Sequence, residues 1–148
     1  MKNHLAIGLA GEKIARAFLV ENGYTLLEKN WRFSRAEVDI IAQHGSWLIF
    51  CEVKTRSSTL FGEPEIFVTQ KKKRLLLDAA INYMNKIGYC GEFRFDIIAI
   101  VYKNDNEYGI KHLSDDFFPG FDQGHIHTEP FASIFLFNGR MGFYRPGS

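Results

Sequence analysis

The chain of 148 residues lacks several things, and each absence removes a class of function. No apolar run approaches the roughly 20 residues that a membrane-spanning helix needs, so no membrane partner is expected. The N-terminus, Met1-Lys-Asn-His-Leu-Ala-Ile-Gly8, has its apolar stretch broken by Gly8 and Gly11 and then turns charged. It makes a poor signal peptide, which predicts a cytoplasmic protein. There are only two cysteines, Cys51 and Cys90, and nothing beside them has zinc-ligand spacing. Cys51 alternates with Ile49 and Val53, as a small core residue does. A basic surplus is missing too: 18 Lys and Arg stand against 17 Asp and Glu, a net charge of +1. That argues against a protein that coats DNA and leaves open an enzyme that grips a few phosphates through a local patch.

What remains is an ordinary globular composition, 46% hydrophobic and 24% charged, in a chain long enough for one sizeable core. Residues 5–22 read as a helix, with Ile7, Gly11, Ile14, Ala15 and Phe18 on one stripe and Asn22-Gly23 as the stop. Glu12 sits at the margin of that stripe, where its plain reading is a solvated helix glutamate. Gly8 and Gly11 are poor helix formers and hint at something packed close to this helix. Three strand signals follow, at Tyr24 to Phe33, Val38 to Ala42 and Trp47 to Thr55, with His44-Gly45 at the turn between the last two. No helix-length segment separates them, so antiparallel neighbours are the simplest arrangement.

Residues 56–64 have a loop's composition and enough length for a flap. Helical spacing returns over 69–87, with Thr69 as N-cap and Leu76, Ala80, Tyr83, Met84 and Ile87 as the apolar stripe. The first turns of that helix carry Gln70, Lys71, Lys72, Lys73 and Arg74. Basic residues there oppose the helix dipole unless something negative sits nearby, such as a bound phosphate; a solvated basic helix end is the alternative. Residues 94–102 are apolar on both faces, which suits a central, doubly covered strand, and 109–113 make a short strand after a polar turn. Helix, three strands, helix, two strands predicts an α/β fold: a central mixed sheet flanked by helices, within a core domain of residues 1–116.

The remaining 32 residues hold seven of the 14 phenylalanines, which argues against disorder. Ile134-Phe-Leu-Phe137, Asn138-Gly139 and Arg140-Met-Gly-Phe-Tyr144 signal a hairpin with a type I′ turn. Left exposed it would invite aggregation, so it docks on its own sheet or on a second copy of the chain. His125, His127 and Glu129 alternate within this extension; a polar loop accounts for them more simply than a metal site.

The chemistry gathers between Ala36 and Arg56. Alternation puts Glu37 and Asp39 on one face of their strand, and Glu52 and Lys54 on one face of the next. If His44 and Gly45 alone form the loop, Glu37 lies opposite Glu52; if the loop runs from His44 to Trp47, Asp39 does. Like charges opposite each other destabilise a sheet, and Leu48 and Phe50 on the same face as Glu52 imply partial burial. A divalent cation held by two carboxylates resolves that conflict and leaves room for water and a phosphate. Lys54 beside it can position or deprotonate water and offset transition-state charge. Spacing alone also permits a surface hairpin in which Lys54 merely neutralises Glu52.

Asp39, twelve intervening residues and Glu52-Val53-Lys54, in this order of elements, resemble the PD-(D/E)XK nuclease superfamily and its restriction-endonuclease-like αβββαβ core. More narrowly, the chain is similar to the YraN-like family, related to archaeal Holliday-junction resolvases. The resemblance rests on Gly8-Leu-Ala-Gly-Glu12 with Ala15, Gly23-Tyr24, Asn30-Trp-Arg32, Glu37-Val-Asp-Ile-Ile41, Phe50-Cys-Glu-Val-Lys-Thr-Arg56, Lys73-Arg-Leu75 and Arg94-Phe-Asp96. It covers roughly residues 8–114. It departs at Ala36, where glycine is usual, and at Cys51, where valine is. The resemblance implies Asp39 and Glu52 as ligands of Mg²⁺ or Mn²⁺, with the Val53 carbonyl as a third, Lys54 as catalytic lysine, and Glu12 approaching the metal directly or through water. It also places polar residues at Gln70 and Lys71. The expectation is a metal-dependent endonuclease acting on DNA, including branched DNA, with phosphate contacts from Lys71, Lys72, Lys73, Arg74, Arg32, Arg35 and Arg56. Cutting two strands of a junction calls for two sites and hence a homodimer. A non-catalytic nucleic-acid-binding or assembly module with the same fold is the alternative.

Overall fold

The apolar stripe of the first helical segment lies down on a sheet as α1, His4–Glu21, with Gly11, Ala15, Phe18 and Leu19 buried. Asn3 caps it by accepting the N–H of Ala6, an orphan donor of the first turn. The computed structural model describes residues 3–57, 69–114, 133–137 and 140–144, the last two segments by their backbone only. After α1 come β1 (Thr25–Phe33), β2 (Ala36–His44), β3 (Trp47–Ser57), α2 (Gln70–Ile87), β4 (Glu92–Asn104), β5 (Glu107–Leu113), β6 (Ser133–Phe137) and β7 (Arg140–Tyr144). The seven strands form one sheet in sequence order. Only β3 and β4 run parallel, because α2 lies in the chain between them; all other neighbours are antiparallel. The α/β class and the mixed sheet with its helices are as expected.

The two helices cover separate apolar layers. Val38, Ile41, Leu48, Phe50, Phe95 and Ile97 pack with Leu76, Ala79, Ala80 and Tyr83 of α2. Ile40, Ala42, Ile49, Cys51, Ile98 and Ile100 pack with Ala15, Phe18 and Leu19 of α1. β4 feeds both layers, which is why its sequence is apolar without alternation. The α1 layer also encloses a polar cluster: Asp96 is fully buried and bonds Nε2 of His112 at 2.7 Å and Nε of Arg94 at 3.0 Å. Arg94 in turn donates to the hydroxyl of Tyr24 at 2.8 Å. Burial alone would raise the Asp96 carboxyl, but the bond from His112 and the charges of His112 and Arg94 outweigh it and hold it below the usual carboxylate range.

The β2–β3 hairpin closes through Gly45-Ser46, with His44 paired to Trp47 and Ile40 to Cys51. Gly45 has φ +59°, as a tight two-residue turn needs. This is the register that sets Asp39 against Glu52. The C-terminal hairpin pairs through β6 with β5 of its own sheet. Its Asn138-Gly139 turn, the His125, His127 and Glu129 segment and most of the 56–64 loop lie outside the described residues. No helix among the described residues is long and apolar enough to cross a membrane.

One expectation fails. Strict alternation would put Glu37 and Asp39 on the face of Glu52, yet Ala36, Val38 and Ile41 share the α2 layer while Ile40 and Ala42 share the α1 layer. The alternation therefore reverses at Asp39. Across the ladder, between the pairs Trp31–Val38 and Lys29–Ile40, stands Asn30 with φ +52°. A left-handed residue re-aims the strand locally, and asparagine tolerates that conformation better than most side chains. Asn30→Val is expected to destabilise the fold by about 1–2 kcal/mol in urea unfolding, while Asn30→Gly stays within about 0.5 kcal/mol of the parent. Equal effects of the two changes would show that the strand reversal does not depend on this residue.

Candidate active site

Beyond the Ile40–Cys51 pair the main-chain ladder between β2 and β3 gives way to a side chain. Oδ2 of Asp39 accepts the N–H of Val53 at 2.7 Å. In an extended strand the N–H and C=O of one residue leave toward the same neighbour. The Val53 carbonyl is thus directed to the β2 side as well, next to the Asp39 carboxylate.

Glu52 projects from the opposite side of β3 to Val53, toward α2. Val38, Phe50, Leu76 and Phe95 line the space around it, and its side chain is only 10% exposed. A carboxylate so placed needs a cation. It has one in Lys72, whose Nζ bonds Glu52 Oε1 from the first turn of α2. Lys54 shares a face of β3 with Glu52 but, among the described residues, makes no ion pair. The hairpin in which Lys54 neutralises Glu52 is therefore not what forms. Glu52 also lies where the basic start of α2 wants negative charge.

Glu12 reaches the group because α1 comes close to β3 at Gly11. A methyl group built on Gly11 would lie 2.6 Å from Cγ2 and 2.7 Å from Cβ of Thr55, distances no real structure accepts. Gly11 is thus the close contact hinted at by the sequence, whereas Gly8 faces open space. Burial raises the Glu12 carboxyl, Arg16 opposes, and the charges of Glu37 and Glu52 add to the rise.

Asp39 is strongly perturbed. Burial and then the charge of Glu52 push its carboxyl up to about 7, with Glu12 and Glu37 adding, against the Val53 hydrogen bond. Glu37 is partly compensated by Arg32 at 3.1 Å. Four carboxylates thus act on one another here, and with Arg16, Arg32 and Lys72 set against them Asp39 and Glu12 remain raised. Among the described residues no three His, Cys, Asp or Glu side chains are gathered closely enough to hold a metal by themselves. Two carboxylates and a carbonyl nevertheless fit Mg²⁺ or Mn²⁺, which favour oxygen and keep positions for water and phosphate.

The remaining predicted contacts lie at this end of the sheet without forming one cluster. Gln70, Lys71, Arg74, Arg32, Arg35 and Arg56 are exposed, and Lys73 is half-buried. Arg56 follows Lys54 on the same face of β3, and Arg35 sits in the turn entering β2. The sequence reading missed the partnership of Lys72 with Glu52, which joins residues twenty apart across a chain crossover that no local spacing reveals. It also missed the Tyr24–Arg94–Asp96–His112 cluster; its signal was the alternating charge pair Arg94 and Asp96 at the start of an apolar run.

Comparison with known proteins adds a family. The model of uncharacterised protein family UPF0102 matches residues 11–100, a span that contains Glu12, Asp39, Glu52, Lys54 and Lys72. A UPF0102 protein of Flavobacterium psychrophilum is 46% identical over 118 residues, covering 80% of this chain and 98% of that relative. One from Flavobacterium johnsoniae is 43% identical over 122 residues, with the same coverage. One from Rhodococcus jostii is 37% identical over 118 residues and is covered completely by 79% of this chain.

Two outcomes are expected from this geometry. Gly11→Ala should cost about 1–3 kcal/mol of stability, and Thr55→Gly in the same chain should recover part of it, a coupling that thermal unfolding of the double-mutant cycle measures. Additive losses would mean that α1 and β3 do not meet there. The second outcome concerns pH. The folded Asp39 carboxyl binds its proton more tightly than the unfolded one, so its contribution to stability is fully present below 3.8 and is lost as pH rises through about 7. Asp39→Asn keeps an acceptor for Val53 and should flatten the fall in unfolding free energy across that window in metal-free buffer. An unchanged slope would count against Asp39 as its source.

Proposed function

The chain belongs to the uncharacterised protein family UPF0102, and we propose that it is a PD-(D/E)XK-type, metal-dependent endonuclease that hydrolyses phosphodiester bonds in DNA, including branched DNA. The observation that carries this reading is the Asp39–Val53 hydrogen bond at the end of the β2–β3 ladder. It brings a carboxylate and a main-chain carbonyl to the point where Glu52 and Lys54, without an ion pair among the described residues, leave β3. Asp39, Glu52 and the Val53 carbonyl would hold Mg²⁺ or Mn²⁺. Such an ion, when bound, polarises a phosphoryl oxygen and makes water a better nucleophile at neutral pH. Lys54 Nζ orients the attacking water and offsets charge growing on the phosphate oxygens. Glu12 adds an acceptor from α1 that fixes the water's direction. Arg56, Arg35 and the exposed cations of α2 contact flanking phosphates, which sets register without reading sequence. A DNA substrate fits a cytoplasmic protein, and two copies would serve the two strands of a junction.

A second reading is a DNA-binding module that keeps the fold without turnover. It is favoured by one observation: Glu52 already has a cation in Lys72. A single experiment separates the two. Purified protein is offered branched, duplex and single-stranded DNA with Mg²⁺ or Mn²⁺, alongside Asp39→Ala and Glu52→Ala variants whose fold is checked by circular dichroism. The nuclease reading expects cleavage that each substitution lowers by at least about a hundredfold, and a homodimer by light scattering on the same sample. Binding without cleavage by the parent protein supports the second reading.

A further inference from the structure

The Lys72–Glu52 pair has a consequence if Glu52 is a metal ligand, and here the inference rests on the nuclease reading. We infer that Lys72 is the resident counter-ion of the metal site: it holds Glu52 ready while the metal is absent, gives way to the divalent cation, and is then free for a substrate phosphate.

Three features support it. Glu52 has an apolar wall of Val38, Phe50, Leu76 and Phe95 on its inner side, so a metal and a lysine must approach from the same open side. Lys72 comes from α2, on a stem whose side chain remains 42% exposed, so its head can swing into solvent without unpacking the core. A second ammonium, Lys54, leaves β3 on the face of Glu52 and makes no ion pair among the described residues. With a divalent cation at Glu52, two lysines and a metal would crowd one carboxylate, and Lys72 is the one whose ion pair with Glu52 the metal would replace. A displaced Lys72 remains at the start of α2, beside the backbone N–H groups of Gln70 and Lys71, which have no partner within the helix. An ammonium next to such donors suits a phosphate oxygen. The ion pair and the metal therefore compete for Glu52, while metal and phosphate assist each other through the same lysine.

The test is calorimetric titration of Mn²⁺ without DNA, at pH 8 so that protons do not compete, into the parent protein and four variants. Lys72→Met removes the competitor and should bind Mn²⁺ roughly tenfold more tightly. Lys72→Arg keeps the charge and should stay within about twofold of the parent, as should Lys71→Met, which removes a charge that does not touch Glu52. Glu52→Gln should lose binding. The second arm measures affinity for a duplex oligonucleotide with and without Ca²⁺: metal should tighten it in the parent and much less in Lys72→Met, because coupling between two ligands is reciprocal. Equal Mn²⁺ affinity in the parent and Lys72→Met, with Glu52→Gln still deficient, overturns the inference and leaves the metal site standing. The same gain in Lys71→Met and Lys72→Met also overturns it, since the effect would then be general charge. No Mn²⁺ binding by any of these proteins at millimolar metal overturns the nuclease reading, and the inference with it.

Discussion

A side chain ends the ladder where a main-chain carbonyl would otherwise continue it. The Asp39 carboxylate takes the N–H of Val53, and everything notable about this end of the sheet follows from that substitution. Main-chain donors in a buried sheet must be satisfied. By satisfying this one from a side chain, β2 is released from strict register with β3 and can reverse which face its residues present. The same bond fixes the Asp39 carboxylate beside the next carbonyl of β3. Asn30 in the left-handed conformation on β1 accommodates the turn on the other side, so three strands share the distortion.

The second constraint is the cost of like charge. Asp39, Glu52, Glu12 and Glu37 act on one another strongly enough to raise Asp39 and Glu12. A fold selected for stability alone would replace one of them, since apolar side chains of the same size would fill this corner with less penalty. Contrast the polar cluster in the α1 layer, where Asp96 lies between His112 and Arg94 and is held below the usual range. There the acid is compensated inside the protein. At the candidate site Lys72 pairs with Glu52, Arg32 with Glu37 and Arg16 opposes the rise of Glu12, yet Asp39 and Glu12 still stand above the usual carboxylate range.

The sequence made the architecture legible because the elements carry unambiguous periods. The α1 stripe, the apolar β4 and the order helix, three strands, helix, two strands were all readable, and so was the hairpin that carries Asp39 and Glu52. Its register was open between two choices, because turn length is decided by the φ of one glycine, Gly45. The placing of Glu37 on the face of Glu52 was read wrongly for a definite reason: period-two alternation assumes an uninterrupted ladder, and here a side chain interrupts it. Gly11 and Gly8 looked alike in the sequence, yet only Gly11 has Thr55 against it. Lys72 was one of four consecutive cations, and only tertiary packing singles it out. Patterns local in sequence were visible; choices made by contact across the crossover were not.

That crossover gives the site an order of assembly. Residues 4–57 form a helix and a three-strand antiparallel meander whose contacts are close in sequence, so they can pair as soon as they leave the ribosome. The parallel pairing of β3 with β4 must wait for α2 to be made and laid down. All four acids therefore precede, in the nascent chain, the helix that carries Lys72. In that interval Glu52 lacks its partner from α2, and Arg16, Arg32 and Lys54 are the cations that the emerged chain itself sets among these acids.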